Sequence, residues 1–390
     1  PEYYKLKYDL STVTVEEVQM EILEEDQALL EYFVGDSSIF IFRIEKDYYE
    51  VKEVKRDFPL EEWVQQLRDN ISQPLPFAYE AYLEVAPKLY EKLIAPVAEG
   101  LPEQLVIVPD GILGYIPFEA LLMEKPDANN LYAAERLPYL LREHQVSYCY
   151  SATLLKEMKE KKHRKAPTRE LLAVAPFAAV DTVLSSHLDQ SDWLAGTRSD
   201  TLWGLPYTQA ELDSIQRVFQ TDAFYGAEAT EASFVERAGD YRILHLSTHG
   251  KADPRVGDYS YLAFYPKPDS LENELLYVRD LYNLQLNADL VVLSACETGT
   301  GELQRGEGII SLARAFAYAG AKSIATTLWQ VNDQSTQELM ARFYQHLKSG
   351  MTKDAALRQA KLDFLDGHQD IAAYPFYWAA FIGVGDMGSL

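Results

Sequence analysis

Ile243-Leu244-His245-Leu246-Ser247-Thr248-His249-Gly250 and Leu290-Val291-Val292-Leu293-Ser294-Ala295-Cys296-Glu297-Thr298-Gly299 set the architecture of this chain. Each is a short apolar run that ends at a reactive side chain in a polar, glycine-containing context. Runs of this length read as buried strands of a parallel sheet. Open α/β sheets place their chemistry outside the carboxyl ends of such strands. His249 and Cys296 are therefore expected at one rim of one sheet. A thiol beside an imidazole can become a thiolate nucleophile, with the imidazole carrying the proton.

Around these runs the chain alternates strand and helix. Strands are expected at 171–175, 223–225, 323–329 and 377–384. Helices are expected from Thr208 to about Phe219, from Glu231 to Gly239, from Ile309 to Gly320, and near 335–347 and 353–364. Thr208-Gln209-Ala210-Glu211 has the form of a capping box, in which Thr and Glu satisfy the first orphan amides. Alternation of this kind predicts an α/β fold with a mostly parallel sheet and helices on both faces. The long stretch 176–206 reads as a functional loop at the catalytic rim, expected to be mobile or to cover the site.

Earlier in the chain, 28–34 and 37–44 read as strands joined at the turn signal Gly35-Asp36, and 48–54 continues the meander. Helical patterns follow at 60–70 and 77–93, then a strand at 104–108. Lys156, Lys159, Lys161, Lys162, Arg164 and Lys165 form a basic stretch that reads as a solvated linker and the best domain boundary. The expected partition is residues 1–165 and residues 166–390. The chain opens Pro1-Glu2-Tyr3 without Met, which reads as a piece of a longer protein.

Composition narrows the function. The 390 residues are 47% hydrophobic and 25% charged, as in a globular protein. A net charge of −24 argues against nucleic acid as a partner, because phosphate binding needs clustered Lys and Arg. No apolar run reaches the roughly 18 residues that span a membrane. Only Cys149 and Cys296 are present, which sets aside a disulfide framework and a cysteine-rich zinc site and fits a reducing cytoplasm. Gln304 stands where a dinucleotide fingerprint needs its third glycine, and no Walker lysine motif, Gly-x-Ser-x-Gly elbow or His-Glu-x-x-His occurs. No cofactor or metal is expected.

Each candidate has a blander reading. A lone Cys at a strand end is most often a small buried hydrophobe, but Cys296 leads into a polar glycine-rich loop. Cys149 lacks such a loop and reads as core. His245 shares a strand face with His249 about 13 Å away and reads as packing. Gly250 and Cys296 offer backbone N–H groups suited to an oxyanion. Asp333 reads either as a helix N-cap, with Asn332, or as the acidic floor of a specificity pocket.

Together these segments resemble the CHAT family, which belongs with caspases and separases among cysteine peptidases. The resemblance rests on His-Leu-Ser-Thr-His-Gly at 245–250, Val-Val-Leu-Ser-Ala-Cys-Glu-Thr-Gly at 291–299, Gly-Glu-Gly at 306–308, Leu-Ala-Arg-Ala-Phe at 312–316, Ala-Gly-Ala at 319–321 and Tyr-Trp-Ala-Ala-Phe at 377–381. Val-Pro-Asp-Gly at 108–111 and Pro-Phe-Glu-Ala-Leu at 117–121 add to it, so that it covers about 77–384. The 47-residue separation of His249 and Cys296 is near the spacing of about 50 known for caspases.

The resemblance implies a caspase-like fold and a cysteine endopeptidase acting on a protein or peptide. His249 is then the base and Cys296 the nucleophile. Ser294 and Glu297 depart from the caspase signature, which speaks against cleavage after Asp. Similarity to separases implies a basic P1 residue read by Asp333, an inactive caspase-like half at 1–165, and a regulatory helical-repeat module or partner. Two other readings stand beside this one: a scaffold or switch with the fold but no turnover, and a non-peptide amidase or transferase.

Overall fold

The computed structural model describes residues 12–126, 133–178, 204–266, 274–295, 298–304 and 308–390. Eleven strands form one sheet. In chain order they are β1 (Gln27–Val34), β2 (Ser38–Glu45), β3 (Tyr48–Lys55), β4 (Gln104–Val108), β5 (Gln145–Tyr148), β6 (Arg169–Ala175), β7 (Thr221–Tyr225), β8 (Tyr241–Ser247), β12 (Leu290–Ser294), β15 (Ser323–Thr327) and β16 (Phe381–Gly385). The missing numbers belong to two small sheets. One is β9 (Gly250–Lys251), β10 (Tyr261–Ala263) and β11 (Leu275–Tyr277); the other is the hairpin β13 (Gly301–Gln304) and β14 (Gly308–Ser311).

The large sheet has the order β3-β2-β1-β4-β5-β16-β15-β12-β8-β6-β7. β1, β4, β5 and β16 run parallel to one another, and so do β15, β12, β8, β6 and β7. The two sets meet antiparallel where β16 pairs with β15. Carboxyl ends of the two sets therefore point to opposite edges. This is the expected α/β architecture, a mostly parallel sheet with helices on both faces.

Both faces are dry, which explains the near-continuous apolar runs. Leu171, Ala173, Leu290 and Val292 enter one core, while Leu172, Val174, Val291 and Leu293 enter the other. The first core is closed by helices α1 (Leu60–Ile71), α2 (Pro76–Leu93), α4 (Thr208–Gln216), α7 (Asp333–Lys348) and α8 (Lys353–Gly367). The second is closed by α3 (Ala152–Glu160), α5 (Glu231–Arg237) and α6 (Leu312–Ala319). Gly320 ends α6 at φ +124°, where a Cβ would stand 2.5 Å from the Leu286 carbonyl oxygen; a side chain is excluded there.

Three local expectations change. The helix expected from Ile309 begins at Leu312, because Gly308–Ser311 pairs antiparallel with Gly301–Gln304. The capping box does not form: Tyr207 is the N-cap of α4 and carries no side-chain cap, so Thr208 and Glu211 turn inward. The basic stretch is not a free linker. Lys156 pairs with Glu21 at 2.6 Å and Glu17 at 3.1 Å, Lys159 donates to the Ile22 carbonyl at 2.6 Å, and His163 meets Asp289 at 2.8 Å. These partners lie more than a hundred residues away, beyond the reach of local pattern.

Candidate active site

β8 and β12 lie side by side in parallel register, with Ser247 paired to Ser294. Two residues beyond that pair stand His249 and Cys296. Cys296 and Glu297 lie outside the described residues, as does 179–203, the bulk of the expected rim loop. The described neighbours of Cys296 are tied to β15. Thr327 Oγ1 donates to the Ala295 carbonyl, Gly299 N–H donates to the Thr327 carbonyl at 2.7 Å, and the Thr298 and Thr326 hydroxyls are 2.8 Å apart.

His249 is half-buried, its ring centroid 4.9 Å from that of buried Phe177. Its carbonyl accepts from Ala263 N–H at 2.9 Å, and Gly250 stands opposite Leu262 in the next pair. Antiparallel ladders alternate bonded and non-bonded pairs. The Gly250 N–H is therefore turned away from β10. The Phe177 carbonyl also accepts from Leu205 N–H at 2.9 Å, which brings these two residues together beside His249.

A small cleft of about 20 Å³, continuous with solvent, opens at these strand ends. His249 and Ala295 line one side, and Thr208, Glu211, Asp333 and Thr336 line it from the first turns of α4 and α7. Helix N-termini carry partial positive charge and favour carboxylates. Asn332 is the cap of α7, its Oδ1 accepting from Ser335 N–H at 3.1 Å. Of the two readings of Asp333, the cap thus falls to its neighbour, and the Asp333 side chain lines the cleft. Burial first, and then the charge of Glu211, push the Asp333 carboxyl up to about 6.

Glu211 was not legible as a site residue. It is 2% exposed. Ser247 Oγ donates to Oε2 at 2.7 Å and Ser294 Oγ donates to Oε1 at 2.8 Å. His245 Nε2 stands 3.3 Å from Oε1 without hydrogen-bond alignment, and its Nδ1 is 3.0 Å from the Tyr344 hydroxyl. His245 is fully buried, as expected of a packing residue, and its contacts are polar. The signal that could have exposed Glu211 was the Leu-Ser ending shared by both strands: two small hydroxyls at the end of apolar runs need a common buried acceptor. Cys149 is buried, its thiol pushed up to about 12 by desolvation. Among the described residues no cluster of His, Cys, Asp and Glu could hold a metal ion, and no helix is long and apolar enough to cross a membrane.

The chain has relatives in sequence and in fold. Tetratricopeptide repeat protein 28 of Mus musculus is 24% identical over 343 residues, and its Homo sapiens counterpart is 24% identical over 339 residues. Each alignment covers 76% of this chain, which spans only 13% of either relative. A chain of the Saccharomyces cerevisiae separase–securin complex superimposes with a TM-score of 0.59 at 6% identity, over 95% of this chain and 31% of that one. The likeness is one of fold alone. The CHAT domain profile matches residues 83–386, and the chain accordingly belongs to the CHAT-domain family.

Proposed function

We propose that this chain is a cysteine endopeptidase module with His249 as base and Cys296 as nucleophile. The observation that carries the reading is the Ser247–Ser294 register, from which the chain reaches His249 on one strand and Cys296 on the other in two residues. His249 takes the thiol proton, and the thiolate attacks the scissile carbonyl. The amides of Gly250 and Cys296 hold the oxyanion. His249 returns the proton to the leaving amine, then activates the water that releases the acyl group. Asp333 faces the same cleft and favours a basic P1 side chain. Residues 1–165 serve as an inactive half, and a helical-repeat module such as the relatives' name describes supplies regulation. A reducing, cytoplasmic setting suits the thiolate.

Labelling with a peptidyl electrophile bearing a basic P1 residue tests this. The adduct is expected on Cys296, and His249→Ala is expected to prevent it. An unlabelled protein that also leaves a peptide library intact supports the scaffold instead.

A further inference from the structure

We propose that strands β1, β2 and β3 present a docking surface for an amphipathic helix of a partner protein, one that carries a Lys or Arg inside its apolar stripe. The three strands pair antiparallel, so that Glu31, Phe42 and Val51 form one cross-strand row and Phe33, Phe40 and Glu53 the next. Side chains two apart share a face of a sheet. Both rows therefore lie on the face of Leu29 and Ile44, which belong to the second core and are covered by Val18, Ile22 and Leu23. That cover stops short of the next rows. Phe33 is 55% exposed, Tyr49 45% and Val51 41%, Phe40 and Phe42 are half-buried, and none of the five joins either core. The opposite face of these strands is closed by α1 and α2, and their own face is closed by α3, α5 and α6 further along the sheet. An α/β layer buries its apolar face under helices, and a contiguous exposed patch rich in aromatic rings marks an interaction site.

Glu31 supplies the charge that the partner must answer. It sits in the middle of the patch, with Phe33 two residues on, Phe42 opposite on β2 and Val108 opposite on β4. It is half-buried, and its carboxylate has no hydrogen bond or ion pair among the described residues. Burial, and then the charge of Asp110, raise its carboxyl. Apolar cover alone would bury this group further without a partner, which is costly. Cover that brings a cation turns the same burial into a charge pair. Lys55, the one cation of these strands on this face, stands two rows and two strands from Glu31. A second copy of the chain is a poor cover, since a two-fold contact sets the same patch against itself and offers neither Glu31 a cation. A strand added at the free edge of β3 would leave Glu31 and Phe33 uncovered, two strands further in. A basic helix laid across the rows meets both needs, with apolar side chains on the rings and one long cationic side chain at Glu31. The net charge of −24 favours the approach of such a partner.

The test pans a displayed library of helices of about five turns on the whole chain. Leu and Ala fill the apolar stripe, and the central stripe position is randomised. Selected sequences are remade as peptides, and their Kd is measured by fluorescence anisotropy. The parent is expected to select Lys or Arg at the centre. Loss of one charge-assisted hydrogen bond is worth about 10- to 100-fold, so norleucine at that position is expected to weaken binding by this factor. Glu31→Gln is expected to bind the Lys and norleucine peptides equally. Phe42→Ser is expected to weaken every peptide about 10-fold or more, and Phe33→Ser, on the most exposed ring of the patch, answers the same question if Phe42→Ser fails to fold by circular dichroism. No binders, binders with no cation at the centre, or affinities unchanged in the folded variants overturn the proposal. Two further outcomes overturn it as well: a dimer in sedimentation that Phe42→Ser dissolves gives the face to a second copy, and flotation with phosphatidylcholine–phosphatidylserine vesicles that Phe42→Ser abolishes gives it to a membrane.

Discussion

The chain contains two strand ends with a cysteine, and they differ in almost every respect that chemistry needs. At the carboxyl ends of β8 and β12, serines and threonines replace the apolar run, a cleft opens, and two acids face it. At the carboxyl ends of β4 and β5 the rim is closed. Cys149 is buried and donates to the Ser151 carbonyl at 3.2 Å, while Asp110 accepts from Val34 N–H at 2.7 Å. Burial, then the charge of Asp110, raises the half-buried carboxyl of Glu31 nearby. Both rims follow from the same sheet physics. What separates them is whether polar residues at the strand ends are left facing space or are consumed by the chain itself.

The sharpest way to break this comparison is to remove each thiol. Cys296→Ala and His249→Ala are each expected to lower peptide cleavage by about 10³-fold or more, and the double variant should be little worse, because both act in one covalent step. Cys149→Ala should cleave as the parent does. Steady-state kinetics on purified protein decides it, and turnover by Cys296→Ala would sink the mechanism.

The second test asks whether the two halves are one body. Lys361 of α8 pairs with Glu119 of the N-terminal half at 2.7 Å, both fully buried, and Tyr148 also donates to Glu119. Lys361→Met leaves an unpaired buried carboxylate, at a cost of about 3–5 kcal/mol. Since both cores run across the β16–β15 junction, the whole denaturant transition should shift. A biphasic curve in which one phase stays put would show that the halves unfold separately.

Much of this molecule was legible because its elements are locally consistent. The strand Gln104–Val108 falls where its apolar run begins and ends, and α7 and α8 follow their periodicity. The failures share a cause: they are places where a side chain answers to a distant partner. Thr208 and Glu211 spell a capping box, but Ser247 and Ser294 claim them. Ile309 and Ile310 suit a helix, but β13 pairs with them first. The lysines near 160 look solvated until Glu17 and Glu21 are placed beside them.

Asp333 offers the third test. Burial, and then the charge of Glu211, push its carboxyl up to about 6 from the 3.8 of a free Asp. As pH falls through that value its charge is lost, so the ratio of kcat/KM for Arg over norleucine at P1 should fall. Using the ratio cancels the titration of the dyad. Asp333→Asn should make that ratio flat with pH and about 10²-fold lower, since a desolvated charge pair discriminates by several kcal/mol. Stability carries the opposite sign. A carboxyl raised on folding stabilises fully below about pH 4, and that contribution is lost as pH rises through 6. At pH 7 Asp333→Asn should therefore be as stable as the parent or more so, by on the order of 1 kcal/mol after allowance for its partial exposure. Asn332→Ala, which removes the true cap, should cost about 1 kcal/mol. A preference for Asp at P1 would reject the pocket assignment.

The smallest expected effect bears on what the N-terminal strands contribute to the candidate site. Tyr115, just past β4, donates its hydroxyl to the Gly301 carbonyl at 2.9 Å, and Arg68 lies over its ring at 4.8 Å. Gly301 begins β13, five residues after Cys296. On the other side of the hairpin, Gly257 N–H donates to Glu302 at 2.8 Å, and a Cβ at Gly257 would stand 2.5 Å from Ile310. The hairpin is therefore held between the N-terminal half and the loop that follows His249. If the first half only supplies bulk, Tyr115→Phe should cost about 1 kcal/mol of stability, as one lost hydrogen bond does, and leave kinetics alone. If it steadies the chain leaving Cys296, kcat should fall about 3- to 5-fold at unchanged KM, because ground-state binding lies elsewhere. The second outcome is expected: the bond ends on the backbone of the proposed catalytic segment, where a small displacement would act on the proposed nucleophile and hardly at all on the cleft lined by Asp333. Equal kcat for parent and Tyr115→Phe would assign the first half to stability alone.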